Sequence, residues 1–191
     1  MSAWYEMVIE GREEDVRELL PGVATDERPI WGEELDLYEG SFSDRLRELL
    51  GASTHHLLFV PGTQAGPLVR AIQGKDEIRL DRVREVASGR FSFKAKAFSP
   101  EIAEKIKRAL HSPLPPGVVL SDCDEAEDVD PEAKGVELYS PVHDYTWRCH
   151  GTFSGPPPGI FEIHRTMQAL DFVHQEKLEL EGREVTAESL V

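Results

Sequence analysis

The stretch Arg90-Phe91-Ser92-Phe93-Lys94-Ala95-Lys96-Ala97-Phe98-Ser99-Pro100-Glu101-Ile102-Ala103-Glu104-Lys105-Ile106-Lys107-Arg108-Ala109-Leu110 decides how the chain is read. Phe91, Phe93, Ala95 and Ala97 alternate with Ser92, Lys94 and Lys96, the period of a strand with one buried face. Ser99 then suits a helix cap, Pro100 fits the first helical position, and Glu101 faces the positive end of the helix. Ile102, Ala103, Ile106 and Leu110 recur at helical spacing and form one buried stripe. Pro113, Pro115 and Pro116 exclude any continuation.

Downstream, Val118–Leu120 and Val136–Tyr139 read as short strands. In the next segment Tyr145, Trp147, Cys149, Gly151 and Phe153 alternate with Thr146, Arg148, His150 and Thr152. Gly155-Pro156-Pro157-Pro158-Gly159 reads as a stiff connector into a helix over about 160–175, and Lys177–Glu181 as a last strand. The order strand, helix, strand, strand, helix, strand resembles the ferredoxin-like split βαβ unit, in element order and over about half the chain.

Upstream, Tyr5, Met7 and Ile9 mark a strand at 4–10, and residues 12–20 read as a short helix with Val16, Leu19 and Leu20 inward. A short strand at Leu35–Leu37 and a helix opening at Ser41 follow. His56–Val60 reads as a central apolar strand, and a helix lies around Leu68, Val69 and Ile72. Residues 77–98 read as a long hairpin turning at Ser88-Gly89, with a bulge or bend where Val83 falls out of phase. The expected fold is α+β, with ferredoxin-like element order in the second half. The halves can be read as two related α+β units in tandem, 1–88 and 89–183 with a flexible tail at 184–191, or as one continuous domain.

Charge narrows the partners. Among 191 residues, 21 Lys and Arg stand against 36 Asp and Glu, a formal charge of −15 that repels duplex DNA and anionic membranes. No run approaches the roughly 18 apolar residues of a spanning helix. The first residues do not form a basic segment followed by an apolar one, and two cysteines cannot form a dense disulfide framework. A cytoplasmic protein is the simple reading.

Several constellations bear on chemistry. His143, Cys149 and His150 have the donor types zinc takes. On one strand, however, Cys149 and His150 point to opposite faces, and His143 lies roughly 20 Å from Cys149 along an extended chain, so no metal ligand set is assigned. Asp171 and His174, three apart on the expected final helix, could form half of a general base. Gly62, Thr63, Gln64 and Gly66 sit where a buried strand turns into a helix, a context that can hold a small molecule. The stretch Asp122–Glu137 carries eight acids and one lysine, which reads as a solvated acidic loop. Arg90, Lys94, Lys96, Lys105, Lys107 and Arg108 form a basic stretch that can offset it, within the chain or across a homodimer. The function expected is non-catalytic binding of a small molecule or protein partner. The rival is a small enzyme using a histidine–carboxylate pair, with candidate residues His143, His150, Asp171 and His174, with or without a metal. The cofactor stays open.

Overall fold

The computed structural model describes residues 3–20, 28–35, 54–129 and 145–191. The chain divides into two compact units, Met1–Ala87 with Leu180–Val191, and Ser88–Glu179. Both combine helices with antiparallel strands, a mixed α+β architecture.

In the first unit, strand β1 (Trp4–Gly11) lies between β3 (Thr54–Pro61) and the first part of β4 (Arg79–Ala97), and the two-residue β2 (Ile30–Trp31) borders β3. Helix α1 (Glu13–Glu18) follows β1, and α2 (Gly62–Gln73) links β3 to β4. The expected alternation of β1 buries Met7 and Ile9 against Leu58, Val60, Val69 and Ile72. Glu6 is buried, because Arg82 (2.8 Å) and Arg84 (3.1 Å) of β4 clamp its carboxylate. The phase break before Val83 is a register shift, with Val8 opposite Arg82 and Ile9 opposite Leu80, so that Asp81 is the extra residue. Leu35 closes a 3-10 turn (Gly32–Leu35); the rest of the strand expected at Leu35–Leu37 and the helix expected from Ser41 lie outside the described residues.

The expected hairpin at 77–98 is a single strand. β4 pairs with β1 as far as Val86 and with β6 (Tyr145–Gly155) from Gly89 onward, where Gly89 sits opposite Gly155. Ser88-Gly89 makes no turn: among the described residues positive φ occurs at Gly117, Asp122 and Phe172, not at Gly89. A change of ladder partner overrides the local turn signal.

The expected flexible tail at 184–191 returns to the first unit. β8 (Glu179–Glu184) pairs with β4, and a 3-10 turn (Ala187–Leu190) follows it. Val185, Ala187 and Leu190 pack against the core, and the Val185 amide donates to the Val83 carbonyl at 3.1 Å.

The second unit holds the remainder of β4, α3 (Pro100–His111), β5 (Val119–Val129), β6, α4 (Pro157–Gln168) and β7 (Val173–Gln175). Its strands run β7-β4-β6-β5, all antiparallel. Ser99 caps α3 by accepting from the Ile102 amide, as its sequence predicts. Phe91, Phe93 and Phe153 meet across β4 and β6 with ring centroids 5.4 and 5.3 Å apart, and His164 of α4 sets its ring edge-on to Phe91 at 4.9 Å. The prolines expected in a connector open α4: Pro157 and Pro158 occupy its first turn, where a missing N–H costs nothing. The helix ends at Gln168, well short of 175, because Phe172 takes a left-handed φ of 63° and β7 begins directly after it.

The acidic stretch is the largest departure from expectation. Residues 122–129 belong to β5, which is hydrogen-bonded along β6 from Val119 to Val129 with a register shift between Ser121 and Asp124. Residues 121–128 are all exposed, so no alternation marks the strand. Among the described residues β5 is the edge of this sheet, and acidic side chains are a common guard against edge-to-edge pairing. The strand expected at Val136–Tyr139 lies outside the described residues.

Candidate functional site

From Phe91 to Ala97 in β4 and from Tyr145 to Phe153 in β6 the odd-numbered residues, among them Phe93, Trp147 and Cys149, are buried, while Lys94, Lys96, Arg148 and His150 are exposed on the opposite face. Cross-strand register aligns that open face into rows. His174, Lys94, His150 and Asp124 lie side by side across the strands, and Lys96, Arg148 and Ala126 form the next row. Neighbouring strands are roughly 4.8 Å apart, so Lys94 stands between two imidazoles, and Lys96 beside Arg148. The Ser92 and Thr152 hydroxyls, 2.9 Å apart, continue the polar face. Lys96 Nζ rests 4.8 Å from the Phe98 ring centroid. Asp124 and Asp128 border the face along β5. Among the described residues, Lys94, Arg148, His150 and His174 form no ion pair within the chain, although its net charge is −15.

On the other side of β5 the bulge carries Cys123 toward Cys149, with the two Sγ atoms 3.8 Å apart. The Cys123 and Cys149 sulfurs and a Glu125 oxygen all lie within 4.8 Å of one another. His111, the last residue of α3, holds Glu125 through Nε2 at 2.8 Å from Oε1. Cys149 is buried and Cys123 exposed. Burial, with the nearby Cys123, Glu125 and Asp124, pushes the Cys149 thiol up to about 12. Close by, Tyr145 is pushed up to about 12 by burial and by its bond to Glu127.

The residues singled out from sequence scatter differently. His150 and His174 share the open face, one on each side of Lys94. Asp171 is not their neighbour in a helix: it lies in the turn after α4, so the three-residue spacing to His174 no longer sets them on one helix face. His143 lies outside the described residues. The Gly62–Gly66 stretch opens α2 and is closely packed. The Gly62 amide donates to the Ala3 carbonyl at 2.7 Å, and Gly66 makes room for the Leu190 carbonyl, where a Cβ would collide. Thr63 is exposed and Gln64 half-buried.

Two histidine–carboxylate pairs join residues that sequence reading passed over: His111–Glu125, and His55–Asp81 at 2.7 Å. Arg79 reaches Asp81 at 2.7 Å and Glu10 at 2.5 Å, and its guanidinium, helped by His55, holds the Asp81 carboxyl below the usual range. A hollow of about 250 Å³ in the first unit is lined by Val69, Ile72, Ile78 and Ala187, with Lys75 and Arg79 among its polar walls. That is smaller than the roughly 300–1,000 Å³ of ordinary ligand pockets. The signal that could have revealed Cys123 and Glu125 is the length of β5: antiparallel register with Tyr145–Phe153 carries 123–125 to Cys149, provided the acidic run is read as strand.

No family model matches the chain, and no curated protein matches it. The crystal structure of an unknown protein from Galdieria sulphuraria is similar over 97% of this chain and 100% of that one, at 11% identity and a TM-score of 0.27, a likeness too loose to carry an argument.

Proposed function

We propose that the chain is a non-catalytic binding protein that presents the open face of its second unit to an acidic protein surface, and that a second copy of the chain supplies such a surface. The observation behind this reading is the row of Lys94, Lys96, Arg148, His150 and His174 on an uncovered sheet face of an otherwise acidic protein. Asp124 and Asp128 border the same face. A two-fold axis would therefore set the acids of one copy over the cations of the other, a self-complementary contact. Elsewhere the surface charge turns away duplex DNA and anionic bilayers. No helix among the described residues is long and apolar enough to cross a membrane.

The strand orders β4-β1-β3-β2 and β7-β4-β6-β5, each with a helix after its first and third strands, support reading both units as ferredoxin-like and as a tandem pair. Many unrelated activities share such folds, so the binding reading rests on the face and not on the fold.

A second reading, a small enzyme working through a histidine–carboxylate pair, draws on His111 and Glu125 beside the two thiols. Light scattering across salt concentrations tests the first reading. A mass near twice 21.5 kDa that falls as salt rises is expected, and K94E/K96E should lower it at every salt concentration. A mass near 21.5 kDa over the whole accessible concentration range would overturn the second-copy contact.

A further inference from the structure

The geometry points to a binding site for a thiophilic divalent cation of the zinc type in the second unit, held by Cys123, Cys149 and Glu125. The inference is independent of the open sheet face, since Cys149 and Glu125 lie on the opposite side of β6 and β5 from His150 and Asp124.

The distances carry it. Two zinc–sulfur bonds of about 2.3 Å at a tetrahedral angle place the sulfurs about 3.8 Å apart. The Sγ atoms of Cys123 and Cys149 are 3.8 Å apart. A disulfide would require them to close to about 2.05 Å. A Glu125 oxygen lies within 4.8 Å of both sulfurs, near enough to complete a trigonal base with a small side-chain adjustment. Water fills the fourth position, the arrangement of zinc sites with three protein ligands.

The bulge between Ser121 and Asp124 makes the site. In regular register Glu125 is opposite Cys149; the bulge, with Asp122 at a left-handed φ of 52°, brings Cys123 to the same sulfur. His111 is a positioning residue: its Nε2, 2.8 Å from Glu125 Oε1, orients the carboxylate from the end of α3, as outer-shell partners of metal ligands do. Binding displaces one proton from each thiol, and no oxidant or reductant enters.

Among the described residues a second cluster of candidate ligands, Glu10, His55 and Asp81, carries less. Arg79 already places a guanidinium on both of its carboxylates, where an ion would have to sit.

The test is titration of the reduced, metal-free full chain with Zn²⁺ against a chromophoric chelator, and with Co²⁺ while following the near-ultraviolet thiolate-to-cobalt charge-transfer band. One equivalent of either ion per chain is expected, with the charge-transfer band present. C123S, at an exposed position, should abolish the band while leaving the far-ultraviolet circular dichroism unchanged. H111A should weaken Zn²⁺ about 10–100-fold, the usual effect of losing an outer-shell partner. C149S supports the site if it folds and loses the ion; if it does not fold, C123S decides. Any of three results overturns the site: no uptake by the reduced wild type, equal uptake by C123S, or a chain isolated with a Cys123–Cys149 disulfide that still takes up no ion after reduction.

Discussion

Trp147→Ala tests the packing that exposes the cationic face. Trp147 is 1% exposed on β6, and the odd-numbered face it shares with Cys149 and Phe153 must stay buried for Arg148 and His150 to point outward. Deleting a core Trp costs about 3–5 kcal/mol. Two smaller terms oppose each other. Lys107 Nζ sits 5.7 Å from the Trp147 ring centroid, and losing that contact adds about 0.5–1 kcal/mol. The indole N–H meets no hydrogen-bond partner among the described residues, and removing it returns about 1 kcal/mol. The sum stays near 3–5 kcal/mol. With a urea slope of about 2 kcal/mol per M, the unfolding midpoint of the second unit should fall by about 2 M. Far-ultraviolet circular dichroism in urea reads this out, with the slope checked for constancy. Trp147→Phe, which removes the orphan N–H but keeps an aromatic ring, should cost clearly less. A shift below about 0.5 M for Trp147→Ala would refute the burial argument and with it the face assignment of β6.

Gly66→Ala would drive a Cβ into the Leu190 carbonyl, so the 3-10 turn at Ala187–Leu190 should detach or the first unit lose about 1–3 kcal/mol; hydrogen exchange at 185–191 would show which. Asp81 has a lowered folded pKa, with the Arg79 hydrogen bond as the largest stabilising cause, so its contribution is present above the unfolded value of about 3.9 and is lost as pH falls through the folded value. Thermal melts at pH 6 and pH 3 should therefore differ less for Asp81→Asn than for the wild type, and by a small margin because Arg79 is solvent-exposed. Ser99→Ala removes the acceptor for the Ile102 amide and should lower stability by about 1 kcal/mol in the same melts.

What was legible in the sequence follows from burial. Phe91–Ala97 and Tyr145–Phe153 each bury one face and expose the other, so their period of two survives in the sequence. Helix α3 carries its own cap, first-position proline and stripe. β5 is not legible in the sequence because a strand exposed at every residue from 121 to 128 has no alternation to display, and its acids imitate a loop. The continuity of β4 through Ser88-Gly89 is not legible because a turn dipeptide is local information, whereas the exchange of pairing partners between Val86 and Gly89 is not. The end of α4 at Gln168 is not legible because a left-handed Phe172 has no sequence marker. The site shows the same division. His150 and His174 are far apart in sequence, and only register places them on either side of Lys94. Cys123 and Cys149, 26 residues apart, meet through a bulge that no spacing rule anticipates.

The central claim, that acids on β5 of one copy meet cations on β4 and β6 of another, is tested most directly by a charge swap. K94E/K96E and D124K/D128K should each run by light scattering below the wild-type mass, through like-charge repulsion across the contact. An equimolar mixture of the two should recover a mass near twice 21.5 kDa, because opposite charges again face each other. A mixture that stays near 21.5 kDa, or a K94E/K96E chain that associates as well as the wild type, would contradict the account.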